Sequence, residues 1–572
     1  MQSRVAVRQD VQTEHVLNRQ SLGVGRVNHI LRVHGRRLLQ ADALSCFDLA
    51  TREAMDRLFP GLTDESHEQA TLGASVGGLG WRRASDIALP ANLGALIMAT
   101  PKVRDMATDA VHAGLLPAGV IEARLDEVAA DVQRAYLENL DETERVKAED
   151  FLQRAKDAAG TQWRRLRQGQ DATSTLAPSA NAGYAGPDEL APVRLPDVHD
   201  GGDAERDGTG RRLSTAHVQK ELAKLDDMVR LRRLEALLRA QSNWAQYDRL
   251  RELRHPEVSH SWLWHLDSRR GTVLSEADYV ANVQKRLGAR MYTGAAPCRL
   301  CGAPLDPQLE HGELCSTAEA TRGHYACVRS LVDGFRLADP NVATEPAGLT
   351  STLDRPADIF TTAAVPGRSA ALDVCIASPN AARAAGDAAA SAFRRKLRRY
   401  RQAIPELARA GIVFRPLVWT ADARPHPAAA RTLRYAAHVA ASRDTEADSP
   451  SLMLGRWRHE ITTSIMRRRA AMLRAVLPQR TRCHRWMMTG RVGASPSSEV
   501  RAPPLDEDED CSDNTGAPAV PSERAPAEDV EMAGATMQPE DGCGDCAGGD
   551  VEMASAVNLA SSDLREVAVA PT

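Results

Sequence analysis

The sequence predicts an α+β chain of several domains, in which a mainly helical amino-terminal half precedes a smaller α/β module. At 572 residues the chain is long enough for several hydrophobic cores. Apolar residues recur three and four positions apart over residues 107–168, which is the spacing of amphipathic helices. From Cys298 to Trp419 the pattern changes to cysteines, β-like runs and a basic helix, an alternation typical of an α/β module.

Composition and charge exclude several classes of protein. Hydrophobic residues make up 43% and charged residues 26%, which argues against a collagen-like, membrane-embedded or wholly disordered chain. The tail from Glu499 holds 18 acidic residues and three arginines, a net charge of −15, so the residues before it carry +11. A basic body with an acidic tail favours nucleic acid as a partner.

Targeting features are weak. The amino-terminal residues are charged throughout and include no apolar core of signal-peptide length, so secretion is not indicated. No run of about twenty apolar residues could span a bilayer. We therefore expect a nuclear or otherwise cytoplasmic protein that has no membrane partner.

Three cysteines and a histidine form the strongest motif. Cys298, Cys301, His311 and Cys315 are spaced as C-x2-C-x9-H-x3-C. Two close pairs of thiolate and imidazole ligands suit tetrahedral zinc, and four protein ligands leave no position for a catalytic water. The pattern predicts a structural zinc site, although His324 and Cys327 could replace the second pair.

Two acidic residues accompany a predicted hairpin. Asp358 heads the run IFTTAAV, and Asp373 lies inside the run ALDVCIA. Leu372 and Val374 share one strand face, which leaves Asp373 on the opposite face among small residues. A hairpin could bring the two carboxylates together to share a divalent cation, a common magnesium platform for phosphodiester chemistry.

A basic helix and a third β-like run follow the hairpin. Lys396 and Tyr400 are four residues apart beside an apolar stripe, so the lysine can bury its stem and direct its ammonium toward the sheet. Arginines that could meet phosphates are Arg394, Arg395, Arg398 and Arg399 on this helix, and Arg467, Arg468 and Arg469 further on. Spacing alone is equally compatible with an ordinary solvated helix over an ordinary sheet.

The order of elements from Cys298 to Tyr400 resembles the carboxy-terminal region of site-specific non-LTR retrotransposon polyproteins that carry a restriction-like endonuclease. In that family a CCHC knuckle precedes an arginine-histidine element, a proline-aspartate element, a strand aspartate, and a helix with a lysine and a tyrosine. Here Arg322 with His324 resembles the second of these and Pro356 with Asp358 the third, although Ala357 interrupts the pair. The stretch SLGVGRVNHILRVHG resembles the segment downstream of the reverse transcriptase palm.

The resemblance implies a reaction and roles for individual residues. Asp358 and Asp373 would hold Mg²⁺, Lys396 would orient water or stabilise charge on the phosphate, and Tyr400 would position Lys396 or a phosphate. The implied function is magnesium-dependent nicking of a DNA target site, with DNA and element RNA as partners and zinc assisting their binding. The alternative is a relic that binds nucleic acid without cutting it.

The sequence contains no motif for polymerase activity or for binding a small-molecule cofactor. An aromatic-x-Asp-Asp polymerase motif is absent from the sequence, so no polymerase activity is expected, and no small-molecule cofactor is indicated. Oligomeric state cannot be predicted. The expected organisation is a palm-downstream-like helical region at 1–105, a helical scaffold at 106–168, a linker at 169–211, a helical region at 212–290, a zinc knuckle and helix at 291–340, a restriction-like endonuclease core at 341–440, a basic helical extension at 441–492 and a disordered acidic tail at 493–572.

Overall fold

A computed structural model describes residues 10–168, 214–266, 273–351, 355–379, 386–443 and 449–478. The predicted linker at 169–211 and the acidic tail at 493–572 lie outside these residues. The described part is mainly helical and includes a small mixed sheet of four strands, which agrees with the predicted α+β class. Within the described part, no helix is both long and apolar enough to cross a membrane.

The amino-terminal half consists of helices. The α-helices are α1 (Val11–Leu17), α2 (Asn28–Gln40), α3 (Ser45–Leu58), α4 (Asp64–Thr71), α5 (Ala84–His112), α6 (Val120–Glu138), α7 (Glu142–Arg167), α8 (Thr215–Ala240) and α9 (Trp244–Leu253). Side chains at the start of several helices accept backbone hydrogen bonds, as Asp141 does for α7 and Ser214 for α8. Short turns of other helix types cover Asn18–Leu22, Val24–Arg26, Ala74–Val76 and Ser261–Leu263.

The second half combines helices with the sheet. Its elements in chain order are α10 (Glu276–Leu287), α11 (Gly312–Cys315), α12 (Thr317–Ala338), β1 (Ala343–Thr344), β2 (Ile359–Val365), β3 (Arg368–Ala377), α13 (Ala388–Arg399), α14 (Ala403–Arg409), β4 (Ile412–Thr420), α15 (Pro427–Arg443) and α16 (Pro450–Val476). The predicted hairpin, helix and strand are confirmed as β2, β3, α13 and β4.

The sheet has the order β1-β2-β3-β4. Strands β1, β2 and β3 are antiparallel neighbours, whereas β4 pairs in parallel with β3 after the crossover through α13 and α14. Gly367 has a φ of 63° in the turn between β2 and β3, a conformation that glycine adopts without steric cost. Leu372 and Val374 face the main core, while Ala377 and Val418 pack under α13 on the other face.

One hydrophobic cluster joins the sheet to helices from both halves of the chain. It includes Leu58 of α3, Val283 of α10, Phe335 of α12, Leu433 of α15 and Ile465 of α16. The segment predicted as a basic extension at 441–492 therefore contributes a core helix, α16, to this cluster. The described residues all fall within one compact unit, Met1–Pro496.

Close packing of α12 on α16 depends on glycine. A Cβ atom at Gly323 would lie 2.2 Å from Cγ of Arg468, and one at Gly334 would lie 3.2 Å from the Trp457 ring. The first distance is a steric clash, so a larger residue at 323 would force the helices apart. This packing fixes the position of α12, which carries His324 toward the sheet.

Candidate metal centre and catalytic site

The cysteine and histidine motif folds into one cluster. One ligand atom from each of Cys298, Cys301, His311 and Cys315 lies within 4.8 Å of the others, and no other such cluster of three or more occurs among the described residues. The Sγ atoms of Cys298 and Cys315 are 3.8 Å apart, and Cys301 Sγ is 3.1 Å from His311 Nε2. Two thiolates bound to one tetrahedral zinc are about 3.8 Å apart. The four residues therefore fit a metal ion such as zinc.

Backbone contacts shape the loop that carries these ligands. The Asp306 carboxylate accepts hydrogen bonds from the backbone N–H groups of Glu310 and His311, at 2.9 and 3.1 Å. Gly302, which directly follows Cys301, has a φ of 74°. The Arg299 N–H donates to the carbonyl of Val476 at the end of α16. The cluster is thus attached to the protein core.

Buried ion pairs connect the same loop to the helices of the core. Lys285 Nζ lies 3.0 Å from Glu310 Oε2, and Arg249 forms a second ion pair with this carboxylate. Burial alone would raise the pKa of Glu310, but the charges of Arg249 and Lys285 outweigh it and hold this pKa at about 2. Glu313 on α11 accepts a hydrogen bond from Ser378, which directly follows β3. The loop therefore contacts both the helical half and the sheet.

The alternative ligands His324 and Cys327 lie elsewhere. Both belong to α12; Cys327 is buried among apolar residues, and neither joins the metal cluster. Instead, His324 Nε2 is 3.4 Å from Asp358 Oδ1. The structure therefore agrees with His311 and Cys315 as the second ligand pair.

The two predicted carboxylates belong to one hairpin: Asp358 directly precedes β2, and Asp373 lies on β3. Ile359 is paired with Leu372, so Asp358 and Asp373 continue the same antiparallel register and face the same side of the sheet. The backbone N–H of Val374 donates to Asp358 Oδ2 at 2.6 Å. Asp373 is buried, with 4% of its surface exposed. The hairpin thus brings together the residues predicted to share a cation.

Lys396 extends from α13 to Asp373. Its Nζ donates a hydrogen bond to Asp373 Oδ1 at 3.0 Å and lies 2.9 Å from Oδ2, outside hydrogen-bond geometry. Burial raises the pKa of Asp373 despite the nearby ammonium. The pKa of Lys396 is also raised, because attraction to Asp373 outweighs the effect of its own burial. The pair is partly shielded from water, since the side chains of Lys396 and Asp373 are 17% and 6% exposed.

Tyr400 directly follows α13. Its backbone N–H donates to the carbonyl of Lys396, and its ring packs against Phe414 of β4 at a centroid distance of 5.1 Å. Burial, reinforced by the negative charge of Asp373, raises the pKa of the phenol. The phenol is thus close enough to Asp373 to experience its charge.

The predicted nucleic-acid contacts divide into two groups. The side chains on the outer surface of α13 are exposed: Arg394, Arg395, Arg398 and Arg399. On α16, Arg467 and Arg468 are partly buried and donate to the carbonyls of Val273 and Ala320, at 2.8 and 3.2 Å. The first group remains available to phosphates, whereas the second holds neighbouring segments of the chain.

Arg469 does not agree with its expected role as a nucleic-acid contact. Its side chain is 2% exposed and donates to Asp422 Oδ1 at 2.5 Å and to Asn282 Oδ1 at 2.8 Å. A guanidinium enclosed in this way cannot reach a phosphate on the surface. Arg469 is a core residue.

One contact in the candidate catalytic region could not be expected from the sequence. His324 was considered as a zinc ligand and as part of an arginine-histidine element, but its contact with Asp358 was not expected. The resemblance of Arg322 and His324 to that element was the available indication that this histidine has a role outside the metal cluster.

Comparison with known proteins adds no identification. No protein-family model matches the chain, and no curated protein matches it either.

Proposed function

We propose that this protein cleaves DNA strands in a magnesium-dependent reaction, as the endonuclease of the non-LTR retrotransposon proteins that its sequence resembles. The observation that carries the proposal is the placement of Asp358 and Asp373 side by side, with Lys396 against Asp373. Two carboxylates and a lysine on one face of the sheet are groups that can promote phosphodiester hydrolysis. The proposed substrate is chromosomal DNA, which would place the activity in the nucleus.

Each group has a distinct task in the proposed reaction. A magnesium ion held by Asp358 and Asp373 would supply the positive charge that polarises the scissile phosphate and activates water. Val374 fixes Asp358 through its backbone N–H, and His324 limits the movement of the same carboxylate from the other side. Lys396 places its ammonium where negative charge develops on the phosphate.

The exposed arginines support nucleic acid as the substrate. The four arginines of α13 lie on the helix that carries Lys396, so a duplex held by them is also close to the carboxylates. Contacts of this kind bind phosphates and carry little sequence information. We propose that Zn²⁺ at the cysteine and histidine cluster has a structural role, because all four positions of a tetrahedral ion are taken by protein.

A second function is favoured by one observation. Lys396 already neutralises Asp373 at distances of 2.9 and 3.0 Å, so a cation must compete with this ammonium for the carboxylate. A protein that no longer cuts could keep this ion pair as a structural contact. It would still bind nucleic acid through the arginines of α13, and the same element RNA or DNA could be its partner.

Nicking of supercoiled plasmid separates the two functions. The full chain is incubated with magnesium and zinc beside Asp373→Asn, which keeps the shape of the side chain and removes its charge. Asp333→Asn is the matched control, because Asp333 is an exposed acid on α12. The proposal predicts that the wild type and the control nick the plasmid and that Asp373→Asn does not, although all three retard DNA on a gel. Binding without nicking by the wild type would favour the second function.

A further inference from the structure

Trp244 is an exposed tryptophan that lies far in sequence from the proposed catalytic residues. Trp244 begins α9, directly after Asn243, whose side chain accepts a hydrogen bond from the Gln246 N–H and caps the helix. The indole is 55% exposed. A single exposed tryptophan is not unusual, but this one lies beside a tyrosine that two arginines flank.

Tyr247 packs beside Trp244. It lies one helical turn after Trp244, with ring centroids 6.0 Å apart and planes at 90°. Tyr247 is partly buried against Leu250 and the leucines of α8, so its position is set by the core. Tyr247 therefore supports one side of the indole, while the rest of the indole remains exposed to solvent.

Two arginines complete the surface. The guanidinium carbons of Arg239, from α8, and Arg251, from α9, lie 5.4 and 5.8 Å from the centre of the Tyr247 ring. Both distances allow a cation–π attraction, which orients long side chains that would otherwise be mobile. Asp248 lies 3.8 Å from Arg251 and is the acid that faces this arginine. The Trp244 platform, defined as Trp244, Tyr247, Arg239 and Arg251, thus combines aromatic rings with positive charge.

We propose that the Trp244 platform binds single-stranded nucleic acid. An unpaired base has an open ring face that can stack on the exposed indole, and the flanking phosphates carry the charge that complements Arg239 and Arg251. A base-paired duplex cannot present such a face without unstacking. An apolar peptide would cover the indole but would carry no charge to complement the two arginines. The proposal does not depend on the proposed nuclease activity.

Fluorescence anisotropy of the full chain tests the proposal. The probes are labelled oligothymidylate and oligouridylate of about 12 nucleotides and a blunt duplex of the same length. Trp244→Ala should weaken binding of a single strand by about tenfold, because one stacked base is lost, and should leave duplex binding unchanged. Trp244→Phe should retain most of the affinity, since phenylalanine also stacks. The two oligonucleotides show whether the strand is DNA, RNA or either.

Leu115→Ala is the matched control, because Leu115 is an apolar side chain that is 76% exposed at another place on the surface. It should bind all probes as the wild type does. Equal affinity of the wild type and Trp244→Ala for both single strands would overturn the proposal, as would an equal loss for the duplex. Loss of self-association in Trp244→Ala with unchanged single-strand binding would instead identify a second copy of the chain as the occupant.

Discussion

Replacing Arg469 tests whether the arginine-rich segment of α16 belongs to the core or to a nucleic-acid surface. Both Arg469 and Asp422 are 2% exposed, so Arg469→Ala would leave a buried carboxylate without its main cation. The substitution would also remove the hydrogen bond that the guanidinium donates to Asn282 Oδ1 at 2.8 Å.

The expected loss of stability is large. Removing one partner of a buried ion pair costs about 3–5 kcal/mol, and a lost buried hydrogen bond adds about 1 kcal/mol. The total is a large part of the about 5–15 kcal/mol by which folded proteins are stable. We therefore expect Arg469→Ala to lower the free energy of unfolding by about 4–6 kcal/mol, or to prevent folding at 37 °C.

Urea denaturation followed by far-ultraviolet circular dichroism measures this change, and gel retardation at low temperature measures DNA affinity. Arg398→Ala is the control at an exposed arginine of α13. It should weaken DNA binding without changing stability. Unchanged stability of Arg469→Ala, combined with weaker DNA binding by the folded variant, would refute the assignment of Arg469 to the core.

Three further predictions concern the metal cluster, the helical half and the catalytic region. Cys301→Ser should reduce bound zinc from about one ion per chain, measured by atomic absorption, and should lower the thermal midpoint, because metal binding stabilises the folded loop. Burial raises the pKa of Asp226 to about 6, so the folded state binds the extra proton between about pH 4 and 6 and stability falls as pH rises through this window. Asp226→Asn should therefore raise the unfolding free energy by about 3 kcal/mol at pH 8 and by much less at pH 4, and equal effects at the two pH values would contradict this. His324→Ala should lower the plasmid nicking rate about 10- to 100-fold, because Asp358 loses a group 3.4 Å from its Oδ1, and unchanged nicking would exclude that role.

Much of the candidate site could be predicted because its residues are related by local rules. The four ligands of the metal cluster lie within eighteen residues, so their spacing is enough to indicate a shared ion. The strand period of two placed Asp373 on the face away from Leu372 and Val374, where α13 packs and Lys396 reaches it. A short hairpin then determines that Asp358 lies opposite Asp373.

Long-range contacts could not be predicted in this way. The density of arginines in α16 suggested a solvated basic surface, but Trp457, Ile461 and Ile465 recur four apart and direct this helix into the core. Arg469 lies on the same buried face because it forms an ion pair with the buried carboxylate of Asp422, which is 47 residues earlier in the chain. The contact of His324 with Asp358 depends in the same way on how α12 packs beside the sheet.

The dependence of nicking on magnesium tests the central claim most directly. Supercoiled plasmid is incubated with the full chain or with Asp358→Asn over a series of magnesium concentrations, with a gel retardation assay in parallel. We predict that the wild type nicks the plasmid with a saturable dependence on magnesium, and that Asp358→Asn binds DNA equally well but needs far more magnesium or does not nick. Nicking by Asp358→Asn with the magnesium dependence of the wild type would contradict the assignment of these carboxylates to the metal.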